Sequence, residues 1–180
     1  VLYPANKTIQ SWGHLVDEDD AVTTETGYSG FSSGDVPGPV VPTDGGYISI
    51  VSTNRAFAAL QEQSGSDKLS IATWGHPDYG GTDGPEDSGY VHIYSNYYAF
   101  AAVKSAGRIA VWGNASYGGA GAPTDGGYIG VYATSYAFAA LKATGSITVW
   151  GDSDDGGDQL VAPMDHGYVH VYGNNNAFAA

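Results

Sequence analysis

Carboxylates and tyrosines are the residues of this chain whose spacing could do chemistry. The acid collects after Trp-Gly pairs, as Asp17-Glu18-Asp19-Asp20, as Asp78 with Asp83, Glu86 and Asp87, and as Asp152-Ser153-Asp154-Asp155-Gly156-Gly157-Asp158. A hard cation takes several oxygens from a flexible loop, so Asp152, Asp154 and Asp158 form a candidate calcium set. Pro163 stands where an EF-hand needs its twelfth-position Glu, which excludes that motif. The competing reading is turn chemistry, with Asp accepting from backbone amides and Gly supplying positive φ. The recurring Asp44, Asp87, Asp125 and Asp165 are assigned to turns of that kind.

Tyr97, Tyr98 and Tyr136 fall in predicted turns, and Tyr79 and Tyr117 in Gly-rich loops. A phenol ring can cover the apolar face of a sugar while neighbouring Asn and Asp bond its hydroxyls. Tyr is equally a residue of protein interfaces. His14 and His76 occupy one repeated place and His92 and His170 another, but the remaining units put Asn114 and Asp152, or Ser49 and Gly130, there. A packing role for these histidines is favoured over metal ligation. No Ser/His/Asp set, paired-carboxylate motif, phosphate loop or zinc-protease helix is recognised, and no catalytic residue or required cofactor is expected. Asn6-Lys7-Thr8 and Asn114-Ala115-Ser116 are N-glycosylation sequons, making Asn6 and Asn114 candidate glycan carriers.

Composition narrows the partners. The 180 residues carry a formal charge of −13, which opposes nucleic acid and anionic membrane surfaces. Cysteine is absent, so disulfides, thiolate metal sites and cysteine nucleophiles are excluded together. No apolar run is long enough to span a bilayer as a helix. The chain starts at Val1 without an initiator Met, and with 27 Gly, 14 Tyr and few Lys it is expected to be extracellular or at a cell surface.

Internal repetition organises the rest. Pro-x-Asp-x-Gly-Tyr begins at Pro42, Pro85, Pro123 and Pro163; Ala-Phe-Ala-Ala occupies 56–59, 99–102, 137–140 and 177–180; Trp-Gly occurs at 12–13, 74–75, 112–113 and 150–151. The spacing predicts an all-β fold of four tandem three-stranded antiparallel repeats, each of about 40 residues, with the fourth split between the termini. Residues 42–84, 85–122 and 123–162 are whole repeats and 163–180 opens the split one. Residues 1–13 supply its third strand, and 14–41 is a Gly/Ser/Thr/Pro-rich insertion. Tyr90-Val91-His92-Ile93-Tyr94 and its counterparts predict a first strand of strict alternation with two largely apolar faces.

The run from Tyr136 to Gly151, together with Trp112-Gly113-Asn114-Ala115-Ser116-Tyr117-Gly118-Gly119, resembles the repeat of the regulator-of-chromosome-condensation family of β-propellers. It is also similar to secreted bacterial and algal repeat proteins built on Ala-Phe-Ala-Ala-Leu and Trp-Gly. The first resemblance implies a propeller-like architecture and no activity: the family's repeats are longer, and the loops that carry its exchange and chromatin roles have no match here.

Two functions follow as expectations. The first is a structural subunit of an extracellular fibre or surface layer, in which residues 1–13 complete the open sheet of a neighbour. Ile9, Ser11, Trp12, Phe178 and Ala180 would form that assembly strand and its seat. The second is a monomeric closed propeller that binds glycans or a protein through its Tyr, Asp and Asn loops. Self-association is expected under the first.

Overall fold

The computed structural model describes Thr8, Ile9 and residues 42–180. Every regular element in them longer than one helical turn is a β-strand: β1 (Tyr47–Ser52), β2 (Ala56–Glu62), β3 (Leu69–Gly75), β4 (Tyr90–Ser95), β5 (Ala99–Lys104), β6 (Ile109–Gly113), β7 (Tyr128–Ala133), β8 (Ala137–Lys142), β9 (Ile147–Gly151), β10 (Tyr172–Gly173) and β11 (Phe178–Ala179). They form antiparallel sheets of six, three and two strands. The six-stranded sheet is two meanders, β1-β2-β3 and β4-β5-β6, joined through the single pairing of Leu69 with Tyr90. No helix among the described residues is long and apolar enough to cross a membrane.

The Ala-Phe-Ala-Ala strand lies in the middle of each meander because its small side chains admit close neighbours on both faces. Ala99, Ala101, Ala102, Ala137, Ala139 and Ala140 are completely buried. The Phe of that strand faces the Trp of the third in the same register, Phe57 with Trp74, Phe100 with Trp112 and Phe138 with Trp150. The ring pairs stack at centroid distances of 5.4, 5.1 and 5.5 Å. The Trp also fastens one meander to the one before it: Trp112 Nε1 donates to the Gly80 carbonyl and Trp150 Nε1 to the Gly118 carbonyl, both at 3.1 Å. The hydrophobic clusters likewise straddle neighbouring meanders, as where Ala99, Ala101 and Val103 pack with Tyr128, Val131 and Phe138.

The first strand departs from strict alternation. The register shifts between Tyr47 and Ser49, between Tyr90 and His92, and between Tyr128 and Gly130. Each bulge adds a residue with no partner opposite it. Tyr90 and Ile93 are therefore buried together, while Val91 between them is 39 % exposed and Ile129, in the corresponding place, 63 % exposed. The two largely apolar faces expected from alternation are not formed, because the bulge turns one β-branched residue per meander to solvent.

The recurring Asp is not chiefly an acceptor of backbone amides, as the turn reading held. It takes the hydroxyl of the Tyr three residues on: Tyr47 to Asp44 at 2.5 Å, Tyr128 to Asp125 at 3.0 Å and Tyr168 to Asp165 at 2.8 Å. Asp87 and Asp125 also hold Lys104 and Lys142, whose ammonium groups lie 4.8 and 4.9 Å from the Tyr90 and Tyr128 ring centres. The lysine first, then the tyrosine hydroxyl, keeps both carboxyls below their ordinary value. In the first meander Gln61 replaces Lys, and Asp44 is held low mainly by the Tyr47 hydroxyl.

A carboxyl held low adds stability that is present above its unfolded pKa and disappears as pH falls through its folded one. Unfolding midpoints are thus expected to be flat above about pH 5 and to decline below about pH 4. Lys142→Met removes the main cause at Asp125 and should make that decline shallower. An acid limb of unchanged slope in chemical denaturation of the variant would refute the assignment.

Candidate functional site

All five tyrosines singled out in turns and loops meet at one edge of the sheets. The turns between the first and second strands of successive meanders are joined by backbone hydrogen bonds. The Asn54 N–H donates to Tyr97 O (3.1 Å), Tyr97 N–H to Ser135 O (3.1 Å) and Ser135 N–H to Asn175 O (2.9 Å). Among the described residues no bond returns from Asn175 to Asn54, so the ladder of turns has two open ends.

Beside this ladder the short 3₁₀ turns Pro77–Tyr79, Ala115–Tyr117 and Ser153–Asp155 follow each Trp-Gly pair. Their caps explain the residues at 76, 114 and 152: His76 Nδ1 accepts from the Asp78 N–H, Asn114 Oδ1 from that of Ser116, and Asp152 Oδ1 from that of Asp154. The last residue of each 3₁₀ turn is clamped through its carbonyl by a side chain of the ladder. Thr53 Oγ1 donates to Tyr79 O (3.0 Å), Asn96 Nδ2 to Tyr117 O (2.6 Å) and Thr134 Oγ1 to Asp155 O (2.9 Å). The same three side chains accept the N–H of Ala56, Ala99 and Ala137, fixing the start of the middle strand.

The clamped loops and the turns alternate to build a column. Tyr79 stacks on Tyr98 with ring centroids 4.7 Å apart, Tyr98 lies 4.8 Å from Tyr117, and Tyr117 lies 5.1 Å from Tyr136. Tyr97 meets Tyr136 edge-on at 5.7 Å and is 44 % exposed. The Arg55 guanidinium sits 5.5 Å from the Tyr79 ring centre at one end. At the other end the Asn176 amide donates to the Asp155 carboxylate. Burial first, then the adjoining Tyr98 hydroxyl, holds the Tyr79 phenol above its ordinary value.

Comparison with protein-family models and with curated proteins finds no match to the chain.

The other predicted sites are dispersed. No three His, Cys, Asp or Glu side chains among the described residues gather as a metal-holding group. In the candidate calcium loop Asp152 caps its 3₁₀ turn and Asp158 accepts from the Leu160 N–H, so both carboxylates serve local backbone. Asn114 is half-buried and spends its Oδ1 on a cap, with Ala115 and Ser116 exposed; Asn6 lies outside the described residues. His170 Nδ1 contacts the Tyr132 hydroxyl at 3.3 Å, and His92 packs near Tyr94.

Among the described residues no third strand covers the seat predicted for an assembly strand. Ile9 is buried against Tyr47, Ala59 and Trp74 of the first meander, and Ser11 and Trp12 lie outside the described residues. Phe178 is half-buried and Ala180 exposed, whereas Phe100 and Phe138 are fully buried. A cavity of about 270 Å³ lies beside Phe178, lined also by Ile147, Val149, Gly156 and Val171. Gly156 stands against Phe178 as Gly118 does against Phe138.

Thr53, Asn96, Thr134 and Arg55 were not singled out from the sequence. The signal for the first three was a short polar residue three positions before each Ala-Phe-Ala, which is the spacing of a side chain that accepts a turn amide. Arg55, Asp155 and Asn176 become legible only by aligning the units and noting where Tyr is replaced.

Proposed function

We propose that the protein is a structural subunit that assembles head to tail, as part of an extracellular fibre or surface layer. The repeats are arrayed as in a β-propeller but left open, and the N-terminal segment serves as the third strand of a fourth unit. The observation that carries this is the turn ladder, which among the described residues is unjoined and ends in an Asn175 N–H at one end and an Asn54 carbonyl at the other. A second copy presents the complement of each.

Two further gaps support the same segment as the filler. Gly156 offers a carbonyl where Gly80 and Gly118 receive a Trp Nε1, and Trp74 Nε1 is buried without an acceptor among the described residues. By the repeat, Trp12 matches the first gap and the loop that follows it matches the second. Ile9 on the first meander corresponds to Ile109, which packs with the meander that follows its own. Ile9 therefore lies with the first meander, and the fourth unit that the segment would complete is assigned to the next copy. Such a heterologous contact propagates unless its rotation closes.

Sedimentation velocity of the intact chain over a dilution series, with and without excess peptide covering residues 1–13, tests the reading. Large species that diminish on adding the peptide are expected. A monomer at every concentration, indifferent to the peptide, refutes assembly.

The convergence of the five tyrosines favours a second reading, a monomeric closed propeller that binds a glycan or a protein through this edge. It is the weaker one, since the rings turn their faces to each other and leave mainly Tyr97 to meet a sugar.

A further inference from the structure

Tyr79 and Tyr98 belong to consecutive meanders, as do Tyr117 and Tyr136, and the pairs bring their phenols together at 4.7 and 5.1 Å between ring centroids, with Tyr98 and Tyr117 of one meander 4.8 Å apart between them. We propose that the column is an oxidative cross-linking site, in which a peroxidase using hydrogen peroxide couples Tyr79 to Tyr98 and Tyr117 to Tyr136. The resulting dityrosine bonds staple one meander to the next within a single chain, and this does not depend on whether copies assemble.

Hydrogen peroxide takes up two electrons and two protons and leaves as two waters. Each phenol gives up one electron and its O–H proton to become a phenoxyl radical. The two radicals join through carbons ortho to oxygen, forming one C–C bond. The two ortho C–H bonds then break and their protons move to the ring oxygens, restoring both phenols. Each staple makes the chain lighter by two hydrogens.

Three features fit the column to this role. The rings are held in place: Tyr79 and Tyr117 are clamped through their carbonyls by Thr53 and Asn96, and Tyr98 and Tyr136 follow directly on turn residues fixed by the backbone ladder. Radical coupling needs two phenols that do not diffuse apart, and such preorganisation raises the effective concentration of one ring at the other. Tyr97, exposed and edge-on to Tyr136, gives a surface oxidant a point of entry to the column. Finally, a chain with no cysteine has no disulfide with which to tie its units together.

The test treats the full chain with a peroxidase and limiting hydrogen peroxide, then reads dityrosine fluorescence, intact mass and cross-linked peptides after digestion. Links between the peptides holding Tyr79 and Tyr98, or Tyr117 and Tyr136, in chains that stay monomeric on a denaturing gel, are expected. Tyr98→Phe keeps the ring but loses the O–H, so the Tyr79–Tyr98 link should vanish from the peptide map and the fluorescence should fall, while the Tyr117–Tyr136 link remains. Tyr172→Phe, at a tyrosine 67 % exposed and outside the column, should change nothing. Links scattered over other tyrosines, covalent dimers without column pairs, or an undiminished yield from a folded Tyr98→Phe chain would each overturn the proposal. Should that variant fail to fold, the peptide map of the unsubstituted chain still decides.

Discussion

Replacement of Phe138 by Ala is expected to cost about 3–5 kcal/mol of folding stability, the range for a fully buried Phe whose site cannot collapse. Phe138 has no exposed surface, stacks on Trp150 at 5.5 Å and packs with Val131, Ala99 and Ala101. The surrounding alanines have no side-chain freedom with which to refill the space, and the Trp150 indole is held in place by its bond to Gly118. The same substitution at Phe178 should cost only about 1 kcal/mol, because that ring is already half in solvent beside a cavity. Both residues sit in the same Ala-Phe-Ala-Ala context, so the contrast reports mainly what a third strand contributes. Urea denaturation of both variants provides the check, with the shift in midpoint at constant slope giving the loss. Equal losses would mean that Phe178 is covered in the free chain. If copies assemble as proposed, Phe178→Ala should in addition weaken the association.

Substitution of Gly113 by Ala should be comparably damaging, at roughly 2–5 kcal/mol from left-handed backbone strain added to overpacking. Gly113 sits at φ +103, and a Cβ there would lie 2.6 Å from the Tyr98 carbonyl oxygen and 2.9 Å from the Ala99 Cα. Both are backbone atoms, unable to step aside as a flexible side chain would. The Tyr98 carbonyl also accepts the Asn114 N–H at 3.0 Å, so relief of the clash breaks the bond that seats the following loop. Gly75 and Gly151 meet the same obstacle from Arg55 and Tyr136, which is the physical reason for Gly in these three Trp-Gly pairs. Thermal unfolding gives the cost, and loss of the Tyr117 contact with Tyr98 should appear as a weakened near-ultraviolet tyrosine signal. A chain as stable as the parent would show that the loop can relocate and would remove this explanation of the motif.

Much of the architecture was legible in the residues alone. The recurrence of Ala-Phe-Ala-Ala and Trp-Gly predicted meanders with their middle and outer strands in order, because the small residues have only one place where a strand is covered on both faces. The five tyrosines were singled out as a set from their positions in turns. The bulged first strand was not legible. An inserted residue leaves composition unchanged, and Val91 reads as the partner of Ile93 until pairing shows that it has none. The role of Asp87 was misassigned for a related reason: a Pro-x-Asp turn satisfies its own amides locally, and the Tyr hydroxyl that claims the carboxylate comes within reach only once the strand begins.

By itself, then, the sequence determined the class of fold, the order of its strands and the absence of disulfide or thiolate chemistry, since strand periodicity, turn residues and composition are local properties. Only the tertiary structure decided that Tyr79, Tyr98, Tyr117 and Tyr136 form one column and that, among the described residues, the ladder of turns is open at Asn54 and Asn175. Those outcomes depend on how successive meanders sit against one another, set by Trp to Gly carbonyl bonds and turn-to-turn hydrogen bonds between residues about 30 to 40 positions apart. A one-dimensional pattern records that each partner exists without recording the distance between them.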